Sequence, residues 1–149
     1  IMGGSGSHEF MLEASAGEDV LLVCPSCGYA ANREVATSRI DIPAAELLPV
    51  EEVATPNVST IDGLADYLGI TATETAKAVF YDVDGQLVFV VIRGDRKVNE
   101  IKLATLLGVP TVRPASDELI RASGAVPGYA SPIGISNARV VVDESSPTA

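Results

Sequence analysis

Tryptophan is absent from this 149-residue chain, histidine occurs once, cysteine twice, and only seven residues are aromatic. A core with so few rings has to be filled by Val, Leu, Ile and Ala, and the hydrophobic content of 47% supplies them. With His8 as the single imidazole, a Ser-His-Asp or Cys-His catalytic set has to draw on a residue well upstream of Cys24. GxSxG, HExxH, P-loop and GxGxxG patterns are all missing. Covalent catalysis is therefore disfavoured. The chemistry left open is attack by a positioned water, with charge stabilised by backbone N–H groups and a cation. No apolar run approaches the roughly 20 residues that span a bilayer, and Ile1 opens no basic-then-apolar leader. The expected setting is the cytoplasm, with no membrane partner.

Positive charge is scarce as well. Ten Lys and Arg stand against twenty Asp and Glu, a net charge of −10. DNA and long duplexes reward clustered cations, so a general nucleic-acid binder is excluded. Yet Arg93, Arg96, Lys97 and Lys102 crowd into one short stretch. Such a basic lip suits the terminal nucleotides of an RNA, and equally suits a solvated helix face with its preceding loop.

The length fits one ordinary domain with a sizeable core. Met11 to Val23 reads as a strand-like segment ending in the apolar Val20-Leu-Leu-Val23. Cys24-Pro-Ser-Cys27 follows, then Gly28-Tyr-Ala-Ala-Asn32, which has loop composition. A CxxC pair can be a structural turn, a partial metal site or a redox pair. No second Cys/His pair completes the four ligands of a structural zinc, so a turn is the leading reading and no metal is assigned. Asp41 to Pro56, with three prolines and four acids, is a connector.

Regular structure is expected after it. Ser59 or Thr60 can cap a helix whose Ile61, Leu64, Ala65 and Leu68 share one face, with Gly69 at the C′ position. Thr73 can cap a short turn before a strand near Ala76–Asp82. Asp84-Gly85 is a hairpin signal, returning through Gln86–Arg93. There Leu87-Val-Phe-Val-Val-Ile92 is apolar throughout, as in a central strand covered on both faces. A second helix near Val98–Leu107 stops at Gly108, with Asn99 and Glu100 as capping candidates. Thr111–Arg113 is a short strand, Ser116 starts a short helix ending near Gly124, and Ala138–Asp143 is the last strand. These elements predict an α/β domain, a mixed β-sheet with packed helices.

Several residues stand out chemically. Lys77 opens an apolar strand, where its ammonium can bind a phosphate or ribose hydroxyl or stabilise an oxyanion; snorkelling from a strand end also explains it. In Gly128-Tyr-Ala-Ser-Pro132, glycine permits close backbone approach and proline stiffens the loop. A surface turn explains the same spacing. Ile61 and Leu64 suit either a pocket wall or plain core. Asp95 can orient water or pair with Arg93, and Thr55 either lines a site or ends the connector.

Taken together, Thr55-Pro-Asn57, the run Ile61, Leu64, Leu68, Lys77-Ala-Val-Phe-Tyr81, Arg93-Gly-Asp95, Val98-Asn-Glu100 and Gly128-Tyr-Ala-Ser-Pro132 resemble a known set. They are similar to the editing domain inserted in bacterial prolyl-tRNA synthetases, which is related to free-standing aminoacyl-tRNA deacylases of the YbaK type. The resemblance runs from about Ile1 to Asp143. It includes Gly3-Gly-Ser-Gly-Ser-His-Glu-Phe10, similar to a stretch of the synthetase core just before the insertion departs.

The resemblance implies a YbaK-like aminoacyl-tRNA deacylase fold and hydrolysis of alanine mischarged on proline tRNA. It implies that Lys77 anchors substrate and that Gly128 and Ser131 act at the reaction centre. Tyr129, Ala130 and Pro132 would join them along the loop. Ile61 and Leu64 would size a pocket that admits alanine and excludes the proline ring, with Thr55 and Asp95 lining the same site. A one-methylene difference is worth only about 1–3 kcal/mol in such a pocket, so steric exclusion of the ring carries much of the sorting. Expected partners are the alanine-bearing acceptor end of tRNA(Pro) and the rest of the synthetase, with neither DNA nor membrane. No cofactor is implied for editing, since ATP belongs to the synthetase core. The expected division is 1–20 from that core, 21–56 a connector with the CxxC turn, 57–143 the editing domain and 144–149 a tail. The family pattern continues through a Gly-Ala-Asn segment and a histidine, so the editing domain is expected to be incomplete at its C-terminus.

Overall fold

A computed structural model describes residues 10–40 and 49–146. The expectations for His8, the first nine residues and positions 41–48 lie outside that range. The chain divides into two compact units between Ser38 and Arg39.

The first unit is a small antiparallel ribbon. Strand β1 (Leu21–Val23) pairs with β2 (Ala30–Asn32), Leu21 opposite Asn32. Two expectations change here. Only three residues of the anticipated strand-like Met11–Val23 are extended in a ladder, and the loop expected over Gly28–Asn32 ends in a strand. Three-residue strands leave too little periodicity to read. The connecting turn holds both cysteines, which are free thiols. It is closed by Cys24 N–H donating to the Tyr29 carbonyl at 2.8 Å and Gly28 N–H donating to the Cys24 carbonyl at 3.0 Å.

In the second unit, helix α1 (Ile61–Leu68) is capped by Thr60, whose hydroxyl accepts from Gly63 N–H at 3.1 Å, and stops at left-handed Gly69. A 3₁₀ turn, Ala72–Glu74, follows. It is capped by Thr71, not Thr73. The Glu74 carboxylate accepts from the Thr71 N–H and hydroxyl at 2.9 and 2.8 Å, a capping box. These donors hold the Glu74 carboxyl below its ordinary range.

Strand β3 (Ala76–Val83) returns as β4 (Gln86–Arg93) through Asp84-Gly85, both at positive φ, as a two-residue hairpin turn requires. The Asp82 carboxylate accepts from Gly85 N–H at 2.7 Å and fixes that turn. Helix α2 (Glu100–Leu107) begins at Asn99, whose side chain accepts from the N–H groups of Ile101 and Lys102. Glu100 is the first helical residue and plays no such part. Strand β5 (Arg113–Pro114), helix α3 (Asp117–Ala122) and strand β6 (Ala138–Val142) complete the unit.

The four-stranded sheet has the order β5-β3-β4-β6, antiparallel except for the parallel β4–β6 pair. A parallel partner needs a crossover, and α2, β5 and α3 occupy it. Strand β4 is central. Its Leu87, Val88, Phe89 and Val90 are all buried, and each such side chain withdrawn from water contributes about 1.5–3 kcal/mol. One face packs Tyr81, Val88 and Val90 against Leu103, Ala104 and Val112. The other packs Leu87 against Ile120 and Ala125, with Phe80 meeting Phe89 edge to face. Ser145 and Ser146, expected in a tail, are buried instead. The Ser146 hydroxyl donates to the Val91 carbonyl at 3.2 Å, and Ser145 donates to the Asp143 carboxylate. No helix among the described residues is long and apolar enough to cross a membrane.

Candidate functional site

The open end of the β3–β4 hairpin gathers two of the expected polar site residues, Lys77 and Asp95. Lys77 pairs with Ile92 in the ladder, and alternation places it on the Tyr81 face of the sheet. Its half-buried ammonium donates to the Gly94 carbonyl at 3.0 Å. Gly94 is itself held by donating its N–H to the Thr75 carbonyl at 2.8 Å. A methyl on Gly94 would strike the Thr75 hydroxyl and come within 2.9 Å of both the Ala72 carbonyl and Ile61 Cγ2. Gly94 is therefore adjacent both to Ile61 and to the Lys77 ammonium. The first helix, the 3₁₀ turn and the hairpin converge there.

Asp95 follows immediately, and both its oxygens are engaged. Arg93 Nε donates at 2.6 Å and Nη2 at 2.8 Å, a bidentate pair. The guanidinium hydrogen bond holds the Asp95 carboxyl below its usual value, and the same bond raises Arg93, with Asp143 adding a smaller contribution. Of the two readings of Asp95, the geometry shows the Arg93 pair. Next in sequence, Arg96 Nε is buried and finds no hydrogen-bond partner among the described residues.

Thr55 and Leu64 are half-buried. The Thr55 carbonyl accepts from Val58 N–H at 3.3 Å, and Val58 packs against Gly63 inside the first turn of α1.

The glycine/proline loop takes a different place. Pro127 and Gly128 are the central residues of a turn closed by Tyr129 N–H donating to the Val126 carbonyl at 3.0 Å, with Gly128 at φ 83°. Pro then Gly at those positions is the type II signature. Tyr129 and Pro132 are exposed, Ser131 accepts from Ile133 N–H at 3.2 Å, and Ala130 packs on the Leu87, Ile120 and Ala125 cluster. That cluster lies on the sheet face opposite Lys77. Lys77, Ile61 and Asp95 are thus brought together around Gly94, while Gly128, Tyr129, Ala130, Ser131 and Pro132 are anchored across the sheet.

A polar cleft of about 230 Å³ lies at the other end of the hairpin, lined by Asp82, Asp84, Gly85, Thr111 and Arg113. It contains none of the expected site residues. The residue that sequence reasoning passed over is Gly94. Nothing local singles it out, because the crowding that demands glycine comes from residues 61, 72 and 75.

Residues 55–146 match the model of the aminoacyl-tRNA editing domain. The chain belongs to that family. Over 97% of its length it is 46% identical to a proline–tRNA ligase of Dehalococcoides mccartyi and 44% identical to one of Salinispora tropica. It spans about a quarter of the length of these curated relatives, 26% in each. Among solved structures it resembles the hypothetical protein APE2540 with a TM-score of 0.53 and 28% identity, over 58% of this chain and 59% of that one. A candidate trans-editing enzyme for prolyl tRNA synthetase superposes with a TM-score of 0.55 at 21% identity, over 60% of this chain and 58% of that one, and supports the YbaK-like fold.

Proposed function

We propose that this domain hydrolyses the ester of alanine mischarged on tRNA(Pro), as the editing part of a cytoplasmic proline–tRNA ligase. The observation that carries the reading is the Lys77 ammonium held 3.0 Å from the Gly94 carbonyl, beside Ile61. A fixed cation next to an apolar wall suits a substrate with a small side chain and a developing oxyanion. Lys77 anchors the aminoacyl ester, and Ile61 and Leu64 size the side-chain pocket, with Thr55 lining the same site. Asp95 keeps Arg93 in place, and Arg96 beside it adds positive charge that suits the RNA end. No cofactor takes part. The remaining synthetase delivers the acceptor end.

The test is deacylation of alanyl-tRNA(Pro), with prolyl-tRNA(Pro) as control, by the chain and its Lys77→Ala variant. Hydrolysis of the alanyl ester alone, lost in the variant, supports the reading; equal hydrolysis of both esters sinks the pocket argument. One observation favours a second reading, a module that holds an aminoacylated RNA end without cleaving it. The Lys77 ammonium already has a carbonyl partner, and the glycine/proline loop is anchored on the opposite sheet face. Tight binding of an alanyl-adenosine analogue without turnover would select it.

A further inference from the structure

The editing chemistry makes no use of the two thiols in the β1–β2 turn. We propose that Cys24 and Cys27 form a redox-active dithiol, with Cys24 the attacking thiol, Cys27 the resolving thiol and a small disulfide such as glutathione disulfide the oxidant.

The geometry comes first. The turn closed by Gly28 N–H on the Cys24 carbonyl at 3.0 Å spans residues 24–28 and carries both cysteines, three positions apart. Such a turn is one turn of helix-like backbone, in which residues three apart are neighbours with about 5–6 Å between Cβ atoms, and a disulfide spans Cα separations of about 4.4–6.8 Å. Ser26 Oγ lies 3.1 Å from Cys24 Sγ. Cys27 is exposed and Cys24 half-buried, so a dissolved disulfide can reach the pair.

The electrostatics agree. The Ser26 hydroxyl first, then the backbone N–H groups of Cys27 and Ser26 and the Cys27 side chain, hold the Cys24 thiol down at about 6. Donors aimed at one sulfur favour its thiolate, which is the nucleophile in thiol–disulfide exchange. A metal knuckle would use the same sulfurs. Two sulfurs are half of what a structural zinc takes, and no group of three or more His, Cys, Asp or Glu that could hold a metal ion occurs among the described residues.

The reaction balances. The Cys24 thiolate attacks one sulfur of glutathione disulfide, the S–S bond breaks, and one glutathione thiolate leaves. The Cys27 thiol then loses its proton and attacks the Cys24 sulfur of the mixed disulfide, releasing the second glutathione. Two cysteine thiols are oxidised by two electrons. Glutathione disulfide is reduced to two thiols, which take up the protons.

The test exposes the chain to glutathione buffers of increasing oxidised fraction, followed by acid quench and mass spectrometry. The native chain is expected to lose two hydrogens without gaining glutathione. Cys27→Ser should accumulate a glutathione adduct on Cys24, and Cys24→Ser should acquire one far more slowly. At pH 6, alkylation of Cys24 should run roughly tenfold faster than that of an unperturbed thiol. The larger thiolate fraction outweighs the lower nucleophilicity of a low-pKa sulfur, and Ser26→Ala should remove most of that excess. Equal adducts on both single variants, a native chain that stays reduced throughout, or a bound metal ion that must be chelated before either thiol reacts would overturn the proposal.

Discussion

Lys77 and Gly94 close the open end of the β3–β4 hairpin through one hydrogen bond, ammonium to carbonyl at 3.0 Å, across seventeen positions of chain. The contact orders a lysine that would otherwise sample many rotamers, an entropy of about 1.5–2 kcal/mol. It also gives the ammonium a partner that does not neutralise it, so the charge stays available, as the proposed role of Lys77 requires.

Lys77→Met separates the structural and functional roles of that contact. Methionine keeps the apolar stem but leaves the Gly94 carbonyl without its donor, so urea denaturation should show a loss of about 1 kcal/mol. Hydrolysis of alanyl-tRNA(Pro) should fall much further than stability. A variant that loses stability and keeps full hydrolysis would make Lys77 a structural residue only.

Gly94→Ala tests the crowding directly. The added methyl meets Thr75, the Ala72 carbonyl and Ile61 at once, and a backbone carbonyl cannot swing aside as a flexible side chain can. Overpacking of this kind typically costs 1–3 kcal/mol, so about 2 kcal/mol is expected. The displaced carbonyl should release Lys77, so the alanyl ester should be cleaved more slowly even at temperatures where the variant is fully folded. Unchanged stability would mean that this corner is looser than the contacts imply.

Much of the second unit was legible because its punctuation is local. Thr60 and Gly69, Asp84-Gly85, and Asn99 with Gly108 mark the two main helices and the hairpin within one turn of the residues they control. Thr71 heads a Thr-x-x-Glu capping box, a local signal that the reading of Thr73 as the cap missed. Features set by distant chain were not readable. Ser146 is buried because Val91, fifty-five residues earlier, offers a carbonyl. Strand β2 is extended because β1 pairs with it. In the candidate site, Lys77 and Ile61 carried signals of their own, whereas the need for glycine at 94 comes from three residues in two other elements.

Gly128→Ala addresses the loop. No atom lies within 4 Å of the added methyl, so the only cost is the backbone at φ 83°. A left-handed alanine costs roughly 1–2 kcal/mol, and asparagine less. Thermal unfolding should therefore rank wild type above Gly128→Asn above Gly128→Ala. If hydrolysis follows the same order, the loop acts through its turn geometry. If both variants abolish hydrolysis at equal stability loss, the glycine itself faces substrate.

Tyr81 supplies a pH-dependent test of the α2 face. It is buried against Leu103 and Ala104, and burial first, then the Glu100 carboxylate, pushes its phenol up to about 12. The phenol therefore stays protonated in the folded chain over a range where an unfolded tyrosine, near 10, ionises. Between those values the unfolded state binds fewer protons, so stability falls as pH rises. The contribution is fully present below pH 10 and lost through about pH 12. Its size is on the order of 1–2 kcal/mol, allowing for partial solvent screening. Tyr81→Phe removes the ionisable group, so urea midpoints of variant and wild type should converge, or cross, as pH climbs from 9 to 12. Parallel curves over that range would show that Tyr81 ionises freely, and that the α2 face opens to water without unfolding.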